Sequence, residues 1–185
     1  MSQLEALLNR RQIRVRELEA IYAQGAADPG FVDQAITAAR HLDPAPAGHA
    51  VWLLSRAGRA GRVNAAHLRR LAASADELTS WVSRLCLSQL LAVTGCPPDL
   101  RRSFHPFLTD CTTDRRPIVR AWALSALATY ADDPEYAAEI STLLRQAAKD
   151  PAPSMRARLK HLKREARSAR DFRFQTKATS SGRFE

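Results

Sequence analysis

Histidines and cysteines are the residues of this 185-residue chain that could hold a metal or act as nucleophiles, but their spacing fits no such site. The histidines are His41, His49, His67, His105 and His161, and the cysteines are Cys86, Cys96 and Cys111. No His-Glu-x-x-His pair, zinc-ligand spacing, phosphate loop or Gly-x-Ser-x-Gly motif occurs. Three cysteines spaced by 10 and 15 residues do not make a disulfide framework. We therefore expect reduced thiols and no catalytic residue, metal or cofactor.

Basic residues favour a different chemistry, the binding of an anionic partner. The chain has 28 Lys and Arg against 19 Asp and Glu, and the last 35 positions hold 10 of the basic residues but 3 acidic ones. Such asymmetry is typical of proteins that bind nucleic acid, an anionic surface or an acidic protein. The candidate binding residues form a C-terminal group and an earlier group: Arg156, Arg158, Lys160, His161, Lys163, Arg164, Arg167 and Arg170, and Arg56, Arg59 and Arg62. In the earlier group, Gly58 and Gly61 predict a turn that could contact a phosphate.

A short pattern that recurs along the chain predicts the stacked units that would carry these residues. It reads Asp-x-x-Pro-x-Val/Met-Arg at 114–120 and 150–156, Asp-x-x-Pro-x-Gly-His at 43–49 and Glu-x-x-Ser-x-Val-Ser at 77–83. Successive copies are 34, 37 and 36 residues apart, a period typical of helical repeats. Apolar spacing predicts one N-terminal helix over 4–24 and then these helix pairs: 30–41 with 46–58, 63–73 with 77–93, 98–110 with 116–130, and 134–148 with 153–170.

The pattern has a physical interpretation at the start of the second helix of each pair. Its aspartate can accept backbone N–H groups that a helix start leaves free, and its proline suits the first helical turn. Arg120 can reach Asp114 or Asp150, so these residues are expected to form a structural ladder of ion pairs along the stack. His49 replaces the arginine in the first copy and is expected to be structural. Ser83 replaces it in the second copy, where we expect the ladder to be interrupted.

The segment DRRPIVRAWALSAL, from Asp114 to Leu127, resembles the second helix of HEAT repeats, in which an aspartate, a proline, Val-Arg and spaced Ala and Leu recur. The resemblance extends over residues 30–165. It implies an all-α fold, a right-handed α-solenoid of about four HEAT-like helix pairs with an extra N-terminal helix and a basic C-terminal tail. It implies no single function, because HEAT proteins include scaffolds, transport receptors, lyase subunits and DNA-repair enzymes.

The basic C-terminal helix has two interpretations. Where earlier repeats place mostly apolar residues, the last repeat has Arg158, Lys160 and Lys163. A terminal repeat has no successor to pack on, so the first interpretation is that its polar face is simply a cap that keeps the end of the stack soluble. A cap needs polarity and not one sign of charge, however, and Glu165 alone opposes the basic residues of this helix. The second interpretation is therefore a docking surface for an acidic partner, and the two are compatible.

An enzymatic alternative rests on tryptophan. Bacterial alkylpurine DNA glycosylases are built of HEAT-like repeats and line a groove with Trp, Asp and Arg, and this chain has Trp122 near Asp110. However, Trp122 falls in a column otherwise filled by Val51 and Leu85, which predicts a core position. Asp110 and Glu139 are the weak catalytic candidates that the sequence leaves.

Residues 1–170 are predicted to form one repeat domain, with the N-terminal helix in 1–25, the repeats in 30–170 and a disordered tail in 171–185. No signal-peptide pattern and no membrane-spanning apolar run occurs, so a cytoplasmic protein without a membrane partner is expected. The favoured function is a non-catalytic adaptor or scaffold that binds an acidic protein through the basic C-terminal helix and a concave face. The alternative is a nucleic-acid-binding protein and, behind it, a glycosylase-like enzyme. No small-molecule substrate is evident.

Overall fold

All the regular secondary structure in the described residues is helical. The computed structural model describes residues 3–40 and 43–165. The helices are α1 (Gln3–Leu8), α2 (Val15–Gly25), α3 (Phe31–Ala39), α4 (Pro44–Arg59), α5 (Ala65–Ala72), α6 (Trp81–Thr94), α7 (Pro98–Cys111), α8 (Pro117–Ala128) and α9 (Pro134–Ala147), with a 3-10 turn at Ala75–Glu77. A last helix, α10, is described over 153–165. The all-α prediction is confirmed for this part of the chain, and the predicted tail at 171–185 lies outside it.

The eight helices of the four predicted pairs are present, with bounds close to those predicted as far as the structure describes them. We call α3, α5, α7 and α9 the A helices and α4, α6, α8 and α10 the B helices. Helices α3, α5 and α7 pack side by side in one layer, and α4, α6 and α8 pack in a second layer. Contacts of α3 with α4 and of α7 with α8 join the two layers, and the most extensive contacts lie within the B layer. The fold is therefore a set of packed helices in which equivalent B helices are neighbours.

Local sequence explains where these helices begin. Helix α6 begins after Ser80, whose hydroxyl oxygen accepts a hydrogen bond from the backbone N–H of Ser83 at 3.1 Å. The side-chain oxygen of Asn64 accepts from the N–H of His67 at 3.0 Å at the start of α5. Each cap satisfies a backbone donor that a helix start leaves unpaired. A proline, which lacks that donor, is the first residue of five other helices: Pro44, Pro98, Pro117, Pro134 and Pro153.

The N-terminal region contains two helices, α1 and α2, so the prediction of one helix was wrong. Leu4 and Leu8 of α1 are buried where α1 packs on α3 and α4, and Leu18 and Ile21 of α2 are buried where α2 packs on α4. Ten residues separate Leu8 from Leu18, which in one continuous helix would rotate their side chains apart by roughly 80°. A break at residues 9–14 allows both leucines to face the core.

The core of the described residues divides into two clusters. The larger cluster runs from Leu4 to Ile140 and includes all three cysteines. The smaller cluster joins α8, α9 and α10, and its members are Ala121, Leu124, Ala147, Met155 and Leu159. Two half-buried residues of α9, Leu143 and Leu144, pack against both clusters. Helix α10 is therefore attached through a separate and smaller apolar contact, whereas α9 also contributes Tyr136 and Ile140 to the larger cluster.

The three cysteines are free and buried, as expected from their spacing. Burial raises the pKa of Cys86 to about 12, since removal from water disfavours the thiolate. Burial also raises the pKa of Cys96 and of Cys111. A thiol with a raised pKa is a poor nucleophile, so these residues are packing groups in the folded state.

Candidate anion-binding surface on the B helices

Two arginines from distant parts of the chain meet on the ring of Trp122. The guanidinium carbon of Arg158, on α10, lies 3.9 Å from the ring centre, and that of Arg59, at the end of α4, lies 5.8 Å from it. Trp122 is half-buried on α8 and not in the core, so the prediction from its sequence column was wrong. Trp122 is only half-buried because its neighbour on α10 is Arg158, at a position where the earlier repeats have an apolar residue.

A second tryptophan of the B helices has a similar partner. Trp81, the first residue of α6, is 43% exposed, and the guanidinium carbon of Arg116 lies 5.0 Å from its ring centre. Ile118, one turn before Trp122 on α8, is 39% exposed. We define the B-helix surface by six residues: Arg59, Trp81, Arg116, Ile118, Trp122 and Arg158. It combines exposed apolar groups with guanidinium groups, and an arginine stacked on an aromatic ring keeps its in-plane N–H donors directed outward.

None of the three arginines of the B-helix surface has a carboxylate within ion-pair distance among the described residues. Burial lowers the pKa of Arg158, and the positive charge of Arg59 lowers it further, whereas the negative charge of Glu165 acts in the opposite direction. Burial therefore disfavours the charged guanidinium of Arg158, and Glu165 offsets part of that effect. This is the electrostatic feature that distinguishes the surface.

Three arginines of the A helices differ from these, because each is paired with a carboxylate on an adjacent helix pair. Arg69 contacts Asp99 at 2.6 Å, and Arg70 pairs with Asp33. Arg101 contacts the carboxylates of Asp132 and Asp133 at 3.0 and 3.1 Å. Carboxylates therefore offset the charge of Arg69, Arg70 and Arg101, whereas the arginines that stack on Trp81 and Trp122 have no such partner among the described residues.

The ion-pair ladder at the start of the B helices runs through Arg84, a residue that the sequence pattern did not single out. Arg84 contacts Asp110 at 2.6 Å and Asp114 at 3.3 Å, and Arg120 contacts Asp150 at 2.7 Å. Arg120 also donates to the backbone carbonyl of Asp114 at 2.9 Å. The expected interruption at Ser83 is therefore wrong, since the adjacent arginine bridges the gap.

The ladder aspartates also accept a backbone hydrogen bond in the turn just before each helix begins. The side-chain oxygen of Asp114 accepts from the N–H of Arg116 at 2.8 Å, and that of Asp150 accepts from the N–H of Ala152 at 2.9 Å. This backbone hydrogen bond and the Arg120 guanidinium hold the pKa of Asp150 below its usual range. In the first repeat, Nδ1 of His49 lies 3.3 Å from the carbonyl oxygen of Leu8, within hydrogen-bond distance, and this contact links α4 to α1.

The basic residues predicted on the C-terminal helix do not share one face. Met155 and Leu159 point into the core, and with 100° per residue Arg158 and His161 fall on one flank of α10. Arg156, Lys160 and Lys163 fall on the opposite flank and are exposed, and Arg164 points outward. Arg158 belongs to the B-helix surface and His161 lies beside it, next to Ile118 and Trp122, whereas Arg167 and Arg170 lie outside the described residues. His161 contacts Glu165 at 3.1 Å.

The earlier basic group is also divided. Gly58 lies within α4 and not in a turn, because α4 extends to Arg59. Arg56 pairs with Glu19 at 3.2 Å, and Arg62 points elsewhere and donates to the carbonyl of Asp28 at 3.0 Å. An open cleft of about 380 Å³ lies beside the B-helix surface between α2, α4 and α6, and its lining is mainly polar: Glu19, Trp52, Ser55, Arg56, Arg59 and Gln89.

Each of the weak catalytic candidates is in contact with a basic side chain. Glu139 contacts His105 at 2.9 Å, and Asp110 is bound by Arg84. Within 3–40 and 43–165, no group of three or more His, Cys, Asp or Glu side chains is placed to hold a metal ion. No helix in these ranges is both long enough and apolar enough to cross a bilayer.

Comparison with known proteins returns no protein-family model, no curated protein and no solved structure that matches this chain significantly. The geometry of the B-helix surface is therefore the main indication of function.

Proposed function

We propose that this chain is a non-catalytic adaptor, a HEAT-like binding module built as a right-handed α-solenoid, and that its B-helix surface binds an acidic protein. The observation that carries the proposal is the stacking of three arginines, none of them paired with a described carboxylate, on two tryptophans. Stacking holds each guanidinium in a defined orientation, so less side-chain freedom is lost when a carboxylate binds. Tryptophan and arginine are also the residues most enriched at the energetic centres of protein interfaces.

An acidic protein fits this surface better than a nucleic acid does. Proteins that bind single strands offer free aromatic faces on which bases stack, and a charged groove that follows the backbone. Here the ring of Trp122 already carries Arg158 at 3.9 Å, so a base could stack on that side only by displacing the arginine. The cations are also few, and the ion pairs of the ladder interrupt any continuous basic stripe.

Two labelled homopolymers, poly-glutamate and poly-thymidylate, would test the proposal in a titration series at increasing salt concentration. We expect poly-glutamate to bind, and the double variant Arg59→Gln/Arg158→Gln to weaken binding roughly tenfold or more, since a hydrogen bond to a charged group contributes about 1.5–3 kcal/mol. The matched control is Arg102→Gln/Lys149→Gln, which removes the same charge from two exposed residues outside the surface. This control should bind as the unchanged chain does.

Other outcomes would contradict the proposal. Loss of binding in Lys160→Gln/Lys163→Gln but not in Arg59→Gln/Arg158→Gln would move the site to the opposite flank of α10. Binding of poly-thymidylate alone, with a salt slope of about 0.7 per neutralised phosphate, would favour the nucleic-acid alternative. Absence of binding to either polymer at low salt would remove the anionic partner altogether.

A further inference from the structure

An apolar cleft adjoins the anion-binding arginine on the B-helix surface. It lies between α8 and α10 and measures about 270 Å³. Its apolar wall consists of Ile118, Ala121, Trp122 and Ala157, and its polar rim includes Arg158. Pockets for drug-sized molecules usually measure about 300–1,000 Å³, so the size of this cleft suits one side chain and not a small-molecule ligand.

The same arginine forms part of both features. Its Nε donates to the hydroxyl oxygen of Ser125, which fixes the guanidinium against the ring of Trp122. The two terminal nitrogens, Nη1 and Nη2, have no hydrogen-bond partner among the described residues. This end of a guanidinium can donate two parallel hydrogen bonds to one carboxylate. A carboxylate bound there would lie next to whatever side chain fills the cleft.

We propose that the partner presents an amphipathic acidic segment, in which an aliphatic side chain enters the cleft and a neighbouring carboxylate pairs with Arg158. This inference rests on the proposed function and specifies the chemistry of the partner. The exposed side chain of Ile118 is the apolar group that the aliphatic anchor would cover, and the carboxylate would neutralise the positive charge shared by Arg158 and Arg59. A purely acidic segment would leave the cleft unfilled, and a purely apolar one would leave the guanidinium unpaired.

Three short labelled peptides of equal length would test this inference by fluorescence anisotropy on the full chain. The first carries Asp and Glu around a central leucine, the second replaces the leucine by serine, and the third keeps the leucine and replaces the acids by their amides. We expect the first peptide to bind, the second to bind roughly tenfold more weakly, as burial of one leucine side chain requires, and the third not to bind.

Two variants make the test specific to the cleft. Ala157 is exposed, so Ala157→Phe should fill the cleft without disturbing the core, which circular dichroism would verify. This variant should bind the leucine peptide only as weakly as the unchanged chain binds the serine peptide. Its affinity for the serine peptide should not change. Arg158→Gln should weaken both acidic peptides, and Arg102→Gln should change neither. Ile118→Ser, which removes part of the apolar wall, provides an independent second variant.

The failure of this inference can be distinguished from the failure of the proposed function. Equal binding of the leucine and serine peptides, with both still weakened by Arg158→Gln, would overturn the amphipathic segment and leave acidic binding intact. Absence of binding by either acidic peptide would overturn both. Binding of the amide peptide as tightly as the acidic leucine peptide would overturn the role of the carboxylate.

Discussion

At the scale of single residues, exposure decides what a charge contributes in this protein. Arg69 and Asp99 form a short ion pair, but both side chains are more than half exposed. Arg84 reaches Asp114 over a longer distance, yet Asp114 is 8% exposed and Arg84 is 20% exposed. Water and salt screen the first pair, whereas removal of one partner of the second leaves a charge with little access to water.

This contrast predicts unequal effects for two substitutions that delete the same group. Arg84→Met should lower the free energy of unfolding by about 2 kcal/mol, because Asp114 then loses its ionic partner. Arg69→Met should lower it by about 1 kcal/mol or less. Urea denaturation of both variants would measure these changes. Similar decreases in the free energy of unfolding would show that the Arg84–Asp114 pair stabilises the fold no more than the exposed Arg69–Asp99 pair does.

A second residue-scale prediction concerns His49 and pH. Burial is the main cause of its lowered pKa, the Leu8 carbonyl raises the pKa and Arg10 lowers it. The unfolded chain therefore takes up the proton first, so the contribution of His49 to stability is complete above its ordinary pKa, near 6.5, and falls as pH decreases toward the folded value.

Removal of the histidine should remove that part of the pH dependence. We expect His49→Gln to reduce the difference in unfolding free energy between pH 7.5 and pH 5.5, measured by urea denaturation at each pH. An unchanged difference would mean that His49 is already protonated in the folded protein or equally accessible in both states.

At the scale of helices, close approach within the B layer depends on a glycine. A Cβ at Gly58 would lie 2.3 Å from Cδ1 of Leu90 and 3.2 Å from Cγ2 of Thr94. Leu90 is completely buried, so its side chain has little room to move aside. The absence of a side chain at Gly58 is what allows α4 and α6 to pack at their present separation.

Gly58→Val should therefore destabilise the fold, although valine has the higher helix propensity. The propensity gain is about 0.4 kcal/mol, whereas overpacking costs about 1–3 kcal/mol, so a net loss of roughly 2 kcal/mol is expected. Ala60→Val, at an exposed position just after α4, is the matched control and should change stability by about 0.5 kcal/mol or less. Thermal or chemical denaturation of the two variants would show whether helix propensity or overpacking dominates. A Gly58→Val variant more stable than the unchanged chain would show that α4 and α6 can move apart at little cost.

The helices could be predicted from the sequence to a large extent, since prolines, caps and apolar spacing are local signals. The partners of individual side chains could not. Arg84 entered the ladder one position away from the expected column, and Trp122 left the core because of a residue on another helix. Arg116 precedes the buried Val119 by three residues, and no local signal indicates that it would meet Trp81. Such contacts depend on how neighbouring repeats are rotated, which a single repeat does not encode.

At the scale of the whole molecule, the divided core predicts that α10 opens first. Helix α10 is held by the smaller cluster, the Arg120–Asp150 pair and the Arg158–Trp122 stack. Local opening follows the amount of apolar contact, so amides in 153–165 should exchange with deuterium roughly tenfold faster or more than those of α4 and α6.

The same experiment tests whether Arg158 fastens the last helix to the rest. Arg158→Gln should speed exchange within 153–165 further, whereas Lys160→Gln, on the exposed flank, should leave it unchanged. Equal exchange along the whole chain would show that the two clusters unfold as one cooperative unit.

The positions of the three cysteines give the protein a built-in chemical reporter. All of them lie in the larger cluster and none in the smaller one, and burial suppresses the reactive thiolate. A thiol reagent should therefore not react while α10 detaches, and should react only when the larger cluster opens. The rate at which the reagent modifies the cysteines could then be compared with the rate at which the helical signal is lost. The comparison would separate detachment of α10 from opening of the larger cluster, without any introduced cysteine.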